Sequence, residues 1–232
     1  MNAKLKGPIR ALVFDLDGTL IDSKQDLVLS VNATLQAIGR EELPAELVAS
    51  YVGSGAPVLI TKALGGSADA EELQRALNYF LAHYEEHKLD HTRAYPGVQE
   101  ALVRLGGRPM AVLTNKPTNM SIRILEMLGL APFFKVIYGG NSFATKKPDP
   151  LGANTVLGDL QVPAHEAVMV GDSEVDVQTA RNAGMFSAIV NFGFGIHDRE
   201  RHPADVYLDR MEELVALVQD RPGTRACEPN GG

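Results

Sequence analysis

A chain of 232 residues, 45% hydrophobic and 22% charged, has the length and balance of a globular enzyme with one large domain and room for an insertion. Its formal net charge of −7 argues against a surface that tracks nucleic-acid phosphates, so no nucleic-acid partner is expected. No apolar run approaches a membrane span, the basic start at Lys4, Lys6 and Arg10 leads into no signal-peptide pattern, and one cysteine, Cys227, cannot close an internal disulfide, so a cytoplasmic setting without membrane contact is expected.

The first apolar run, 11–16, predicts a buried parallel strand. Residues 21–93 then read as helices throughout. Ser23 and Asp26 fit a capping box ahead of Leu27, Val31, Leu35 and Ile38, and further helices are predicted at 44–52, 56–64 and 69–87. From Gly97 onward strands at 109–114, 135–138, 167–170 and 187–190 alternate with helices at 97–105, 117–128, 150–157 and 175–183. That βαβα rhythm predicts an α/β fold, a doubly wound parallel sheet with a small helical insertion placed as a lid over the first strand. The expected division is a core of 1–20 and 94–220, a helical cap of 21–93 and a flexible tail of 221–232 rich in Gly and Pro.

Asp15 and Asp17 stand just past the first strand, where open parallel sheets place their ligands. Burying unpaired charge costs several kcal/mol, roughly, so both carboxylates need a cation or a chemical task. Three later strand ends offer partners. Thr114-Asn115 presents a hydroxyl and backbone N–H groups to an anion, or alternatively caps the helix after Pro117. Lys147 in Lys146-Lys147-Pro148 can neutralise a phosphate, or else belongs to a solvated basic loop. Gly171-Asp172-Ser173 adds a carboxylate for a hard cation, while Ser173 and Asp176 also fit a capping box. Asp15, Asp17 and Asp172 together make an oxygen-rich site suited to Mg²⁺, with Thr114 and Lys147 left for phosphate oxygens.

In order and spacing, Asp15-x-Asp17-Gly18-Thr19, Thr114, Lys147-Pro148 and Gly171-Asp172-x-x-x-Asp176 resemble the four motifs of the haloacid dehalogenase-like superfamily, over residues 9–218. The stretches 14–23, 51–56 and 170–181 resemble its phosphoglycolate phosphatase branch. This resemblance implies an Mg²⁺-dependent phosphatase acting through an aspartyl-phosphate. Asp15 would be the nucleophile and Asp17 the general acid and base, its backbone carbonyl a metal ligand. Asp172 would bind the metal, with Asp176 orienting water or Lys147. Asp17 argues against dehalogenase or phosphonate chemistry, and Ala56 against the arginine or lysine that mutase-like and phosphonate-cleaving members carry nearby. The expected substrate is a small phosphate monoester, 2-phosphoglycolate, bound through Thr114, Asn115 and Lys147, with backbone N–H groups of Gly53, Ser54 and Gly55 near its carboxylate. The alternatives are a sugar phosphate, a nucleotide or pyrophosphate as substrate, and more remotely a non-catalytic phosphate-binding module. Nothing marks an oligomeric seam. His83, His87 and His91 read as a polar helix face, and Gly193-Phe194-Gly195 as a turn near the site.

Overall fold

The computed structural model describes residues 7–66 and 68–219; the predicted tail at 221–232 with Cys227, and the basic Lys4 and Lys6, lie outside the described residues. Six parallel strands form the central sheet: β1 (Ala11–Phe14), β4 (Met110–Leu113), β5 (Val136–Tyr138), β6 (Ala167–Gly171), β7 (Phe186–Val190) and β8 (Val206–Leu208), in the order β5-β4-β1-β6-β7-β8. Between β1 and β4 lie β2 (Ile21–Asp22), α1 (Lys24–Ala37), α2 (Ala45–Ala49), α3 (Ala56–Ala63), α4 (Ala70–His87), β3 (Arg93–Ala94) and α5 (Val98–Leu105). The remaining helices are α6 (Thr118–Met127), α7 (Pro150–Leu160), α8 (Glu174–Ala183) and α9 (Met211–Gln219).

The sheet is covered on both faces because β1 is apolar at every position. Alternate side chains point to opposite faces of a strand. Leu12 and Phe14 pack in one cluster with Val98 and Leu102 of α5, Ile124 of α6 and Leu214 of α9. Ala11 and Val13 pack in the other with Val156 and Leu160 of α7 and Ala180 of α8. Right-handed crossovers from a parallel sheet place helices in just these two layers. The predicted doubly wound sheet is therefore present, with β1 between β4 and β6.

Helices α1 to α4 form the insertion. Asp69 caps α4 by accepting the Glu72 N–H at 2.8 Å, and α4 buries Ala76, Phe80 and Tyr84 on one side. These pack into the same cluster as Leu16 and Leu20 of the first strand's loop. Chain entry and exit are tied together: β2 and β3 pair antiparallel, Ile21 opposite Ala94. His83 and His87 have ring centroids 4.3 Å apart on α4, His87 also meeting Asp90, in keeping with a polar helix face, but His91 lies beyond the end of α4 and does not share it, its backbone N–H donating to Asp26.

Several expectations need correction. The Ser23–Asp26 capping box does not form. Ser23 Oγ donates instead to Asp17, and Asp26 is buried, accepting the Thr92 N–H at 2.8 Å, the Thr92 hydroxyl at 2.7 Å and the His91 N–H at 3.0 Å. A carboxylate that satisfies three donors on a distant segment gains more than one that caps a solvated first turn. The helix predicted at 44–52 shortens to α2, and β8 and α9 were not anticipated. β1 ends at Phe14, although Asp15 N still donates to Val170 O at 2.8 Å and so continues the ladder by one bond.

Asp26 thus fastens the insertion's first helix to the segment that leaves it. Replacing it with alanine strands those donors. Asp26→Ala should lower unfolding free energy by about 3 kcal/mol in urea titrations, whereas an unchanged midpoint would remove this role.

Candidate active site

The site is assembled from the loops that follow neighbouring strands. Asp15 closes β1, Thr114 to Lys116 follow β4, Lys147 follows β5, Asp172 follows β6, and Gly193 to Gly195 follow β7. Such a row at the carboxyl ends of a parallel sheet is where this architecture binds ligands.

Asp15, Asp172 and Asp176 are all buried and offer carboxylate oxygens within 4.8 Å of one another. Lys147 Nζ stands between two of them, 2.9 Å from Asp15 Oδ1 and 2.7 Å from Asp176 Oδ1. The contact to Asp15 is an ion pair without hydrogen-bond alignment, so Asp15 Oδ1 is buried and accepts no hydrogen bond. Burial, against the opposing pull of Lys147, pushes the Asp15 carboxyl up to about 6. Asp172 is held well above the usual carboxylate range by burial, with Asp176 and Asp15 adding repulsion. Burial works against the Lys147 cation, yet Asp15 and Asp176 carry its pKa upward.

Backbone geometry fixes these acids. Asp172 Oδ2 accepts the N–H groups of Phe194 at 3.1 Å and Gly195 at 2.7 Å, so the turn at 193–195 does lie at the site. Gly18 has φ +79°, and a Cβ there would fall 1.9 Å from Asp172 Oδ2; at Gly193 it would fall 2.3 Å from Asp172 Cβ. Ser173 and Asp176 form the predicted capping box of α8, Asp176 Oδ2 accepting the Ser173 backbone N–H at 3.2 Å and, besides, its hydroxyl at 2.7 Å. Asp176 therefore caps a helix with one oxygen and holds Lys147 with the other.

Asp17 points elsewhere. Its carboxylate accepts from Ser23 Oγ at 2.5 Å and from Lys116 Nζ at 3.0 and 3.1 Å, and it stands outside the acid cluster. Lys116 Nζ also donates to Tyr84 Oη at 2.7 Å. Burial pushes the Tyr84 phenol up to about 12, so it stays protonated. Burial opposes the Lys116 cation, but Asp17 and Tyr84 raise its pKa on balance.

Thr114 is buried at the end of β4 and lines the cavity; Pro117, not Thr114, stands at the N-cap of α6. Asn115 is committed to backbone. Its Nδ2 donates to Gly53 O at 2.9 Å and Lys147 O at 3.0 Å, and its Oδ1 accepts the Lys147 N–H at 3.0 Å. The side-chain amide expected to bind substrate is spent on holding the lysine loop. Gly53, Gly55 and Ala56 line the cavity from the insertion, while Ser54 does not reach its lining. The cavity measures about 50 Å³ and is bounded on the core side by Asp15, Asp17, Thr114 and Lys116, and on the other by Leu59, Phe80 and Tyr84. The sequence reading missed Lys116, Tyr84 and Ser23. Lys116 carried a signal, since it directly follows the strand-end pair Thr114-Asn115; Tyr84 reads as one more apolar position of α4.

The profile of the haloacid dehalogenase-like hydrolase family matches residues 12–190. The chain belongs to that family and is an enzyme of the hydrolase class. It is 35% identical over 219 residues to a phosphoglycolate phosphatase of Nitrosospira multiformis, covering 91% of this chain and 96% of the relative. It is 39% identical over 201 residues to a phosphoglycolate phosphatase of Neisseria meningitidis, covering 84% and 85%. Among solved structures, a predicted phosphoglycolate phosphatase from Haemophilus somnus superposes with a TM-score of 0.85 at 29% identity, over 91% of this chain and 98% of that one. Among the described residues, no helix is long and apolar enough to cross a membrane.

Three buried carboxylates against one lysine suit a divalent cation bound by oxygen ligands. Protons compete with a cation for these groups. A carboxyl raised from 3.8 to about 6 by folding makes the metal-free protein less stable as pH climbs through that window. Added Mg²⁺ should relieve this. The rise in Tm on adding Mg²⁺ should therefore be several-fold larger at about pH 8 than at about pH 5; an equal rise at both would count against binding at these acids.

Proposed function

We propose that the protein is an Mg²⁺-dependent phosphatase that hydrolyses a small phosphate monoester, 2-phosphoglycolate, to glycolate and phosphate through an aspartyl-phosphate on Asp15. The observation that carries this reading is the joining of Asp15, Lys147 and Asp176 by ion pairs of 2.9 and 2.7 Å, with Asp172 alongside, where Asp15 also lines the cavity beneath the insertion. The relatives named as phosphoglycolate phosphatases support the choice of ester.

An Asp15 carboxylate oxygen attacks phosphorus, and the bond from phosphorus to the ester oxygen breaks. The departing alkoxide takes a proton from the Asp17 carboxyl. A water molecule then gives its proton to Asp17 and attacks the same phosphorus, releasing inorganic phosphate and restoring the Asp15 carboxylate. Lys147 and Thr114 hold the non-bridging phosphate oxygens, where charge accumulates during transfer. Asp172, the Asp15 carboxylate and the Asp17 backbone carbonyl would hold Mg²⁺. Asp176 keeps Lys147 in place, and Asn115 positions the same lysine through its backbone. When bound, the metal supplies charge neutralisation between the nucleophile and the phosphate.

Residues 21–93 act as the cap and the flanking segments, 1–20 and 94–220, as the core. The cap lining is largely apolar, from Leu59, Phe80 and their neighbours, which excludes water from the reactive acyl phosphate. Gly53 and Gly55 bring backbone to the same cavity, where the substrate's carboxylate would lie. The acidic overall charge and the single cysteine fit a cytoplasmic enzyme of small metabolites.

Two measurements test this. Asp15→Asn should reduce phosphate release to background, at least about 10⁴-fold, with the Tm preserved or raised, since it removes a buried charge. In a panel of esters compared by kcat/KM with Mg²⁺ present, 2-phosphoglycolate should lead. A hexose phosphate or pyrophosphate preferred by more than about tenfold, or 1.4 kcal/mol, would overturn the substrate.

A further inference from the structure

The reaction above uses Asp17 as a proton carrier but leaves open what aims it. Two adjacent residues in the β4–α6 loop have contacts that the reaction itself does not require. Asn115 connects Gly53 of the insertion to the backbone of Lys147. Lys116 connects Tyr84 of the insertion to both oxygens of Asp17.

The second connection is the more informative. Lys116 is only 6% exposed, and its ammonium group can remain buried only beside a counter-charge. Asp17 supplies that charge at 3.0 and 3.1 Å. Tyr84, 1% exposed, fixes the far side of the same ammonium group at 2.7 Å. Its ring also lies under the cation, with Nζ 4.4 Å from the centroid. A lysine on a flexible stem is a poor positioning device when free, because several rotamers are open to it. Held from two sides it has one place to be, and the carboxylate spanning it is fixed as well. The Lys116 ammonium group pairs with an ionised carboxylate, the form Asp17 has once the alcohol has left, and a general base must sit within hydrogen-bond reach of the proton it takes. Tyr84 comes from α4, so the alignment is complete only when the insertion is seated on the core.

We propose that Lys116, anchored by Tyr84, is a positioning residue that holds the ionised Asp17 carboxylate where it takes the proton of the water that attacks the aspartyl-phosphate. Neither residue touches the phosphate in this scheme. The proposal rests on the phosphatase reading above, with Asp17 as the general base of its second step.

The test separates the two half-reactions. The nitrophenolate of p-nitrophenyl phosphate leaves without a proton, so kcat/KM for that ester reports formation of the phosphoenzyme alone, while single-turnover quenching reports its hydrolysis. Tyr84→Phe, which keeps the ring and removes one oxygen, should slow phosphoenzyme hydrolysis about tenfold while kcat/KM for p-nitrophenyl phosphate stays within about twofold. Lys116→Met should widen that gap toward about 100-fold, the lower end of what general base catalysis contributes. Thermal melts of both variants report whether the fold is kept, and Tyr84→Phe carries the test should Lys116→Met not fold. Equal losses in the two half-reactions, or no loss in either, would overturn the positioning role while leaving the phosphatase intact. A wild-type enzyme that turns over no phosphate ester would overturn the phosphatase reading and this proposal with it.

Discussion

The ammonium group of Lys147 is the contact on which the site depends. It lies 2.9 Å from Asp15 and 2.7 Å from Asp176, and all three groups are buried. Without it, three carboxylates would share a dry pocket with no counter-charge, and folding would force protons onto them. With it, two negative charges are still uncompensated when all three are ionised. Burial first, and repulsion from the neighbouring carboxylates after it, raise the proton affinities of Asp15 and Asp172. A divalent cation matches the uncompensated charge, and Asp17 and Lys116 form a separate neutral pair next door. The electrostatics therefore favour a divalent cation at the acid cluster rather than on the Asp17 side chain.

The sheet makes this arrangement possible. Strand order brings β5, β4, β1, β6 and β7 side by side, and each contributes the loop at its carboxyl end. Residues as distant in sequence as Asp15 and Lys147 meet because their strands are separated only by β4. The all-buried strands β1, β4 and β6 are rigid platforms with no polar side chain to reposition them. Glycines then let the loops close: a side chain at Gly18 or Gly193 would occupy the space of the Asp172 carboxylate. Precision at the site is thus a property of backbone and packing, imposed before any ligand arrives.

The parts of this architecture that follow from local chemistry were legible in the sequence. Apolar runs ending in Asp15, Thr114 and Asp172 mark strands with polar termini, and the Ser173–Asp176 spacing correctly marks the cap of α8. Long-range satisfaction of polar groups was not legible. Ser23 and Asp26 have the same spacing as Ser173 and Asp176, yet Ser23 turns to Asp17 and Asp26 to Thr92. Nothing local distinguishes the two pairs; the difference lies in which distant donors come within reach once the insertion folds back through β2 and β3. Asn115 shows the same limit. Its residue type suits an anion cradle, but the fold surrounds its amide with backbone groups of Gly53 and Lys147. β8 escaped because a three-residue strand at the sheet edge, half-exposed at Val206 and Tyr207, carries little apolar periodicity, whereas α9 did carry a helical pattern, burying Met211, Leu214, Val215 and Val218.

Cavity size ties the cap to the choice of substrate. A space of about 50 Å³ holds a few water-sized centres, since one needs on the order of 10–15 Å³. Its lining changes character across that short distance, from Asp15, Thr114 and Lys116 at the floor to Leu59, Phe80 and Leu81 above. A phosphate at the floor already claims most of the polar lining. What extends upward must be short, or the insertion cannot seat as it does here with Tyr84 on Lys116 and Gly53 on Asn115. A larger ester would hold these contacts apart and misalign both Asp17 and the Lys147 loop. On the proposed reading, selection would then act on the rate of chemistry as well as on binding, because the contacts that seat the insertion would also aim the groups that react.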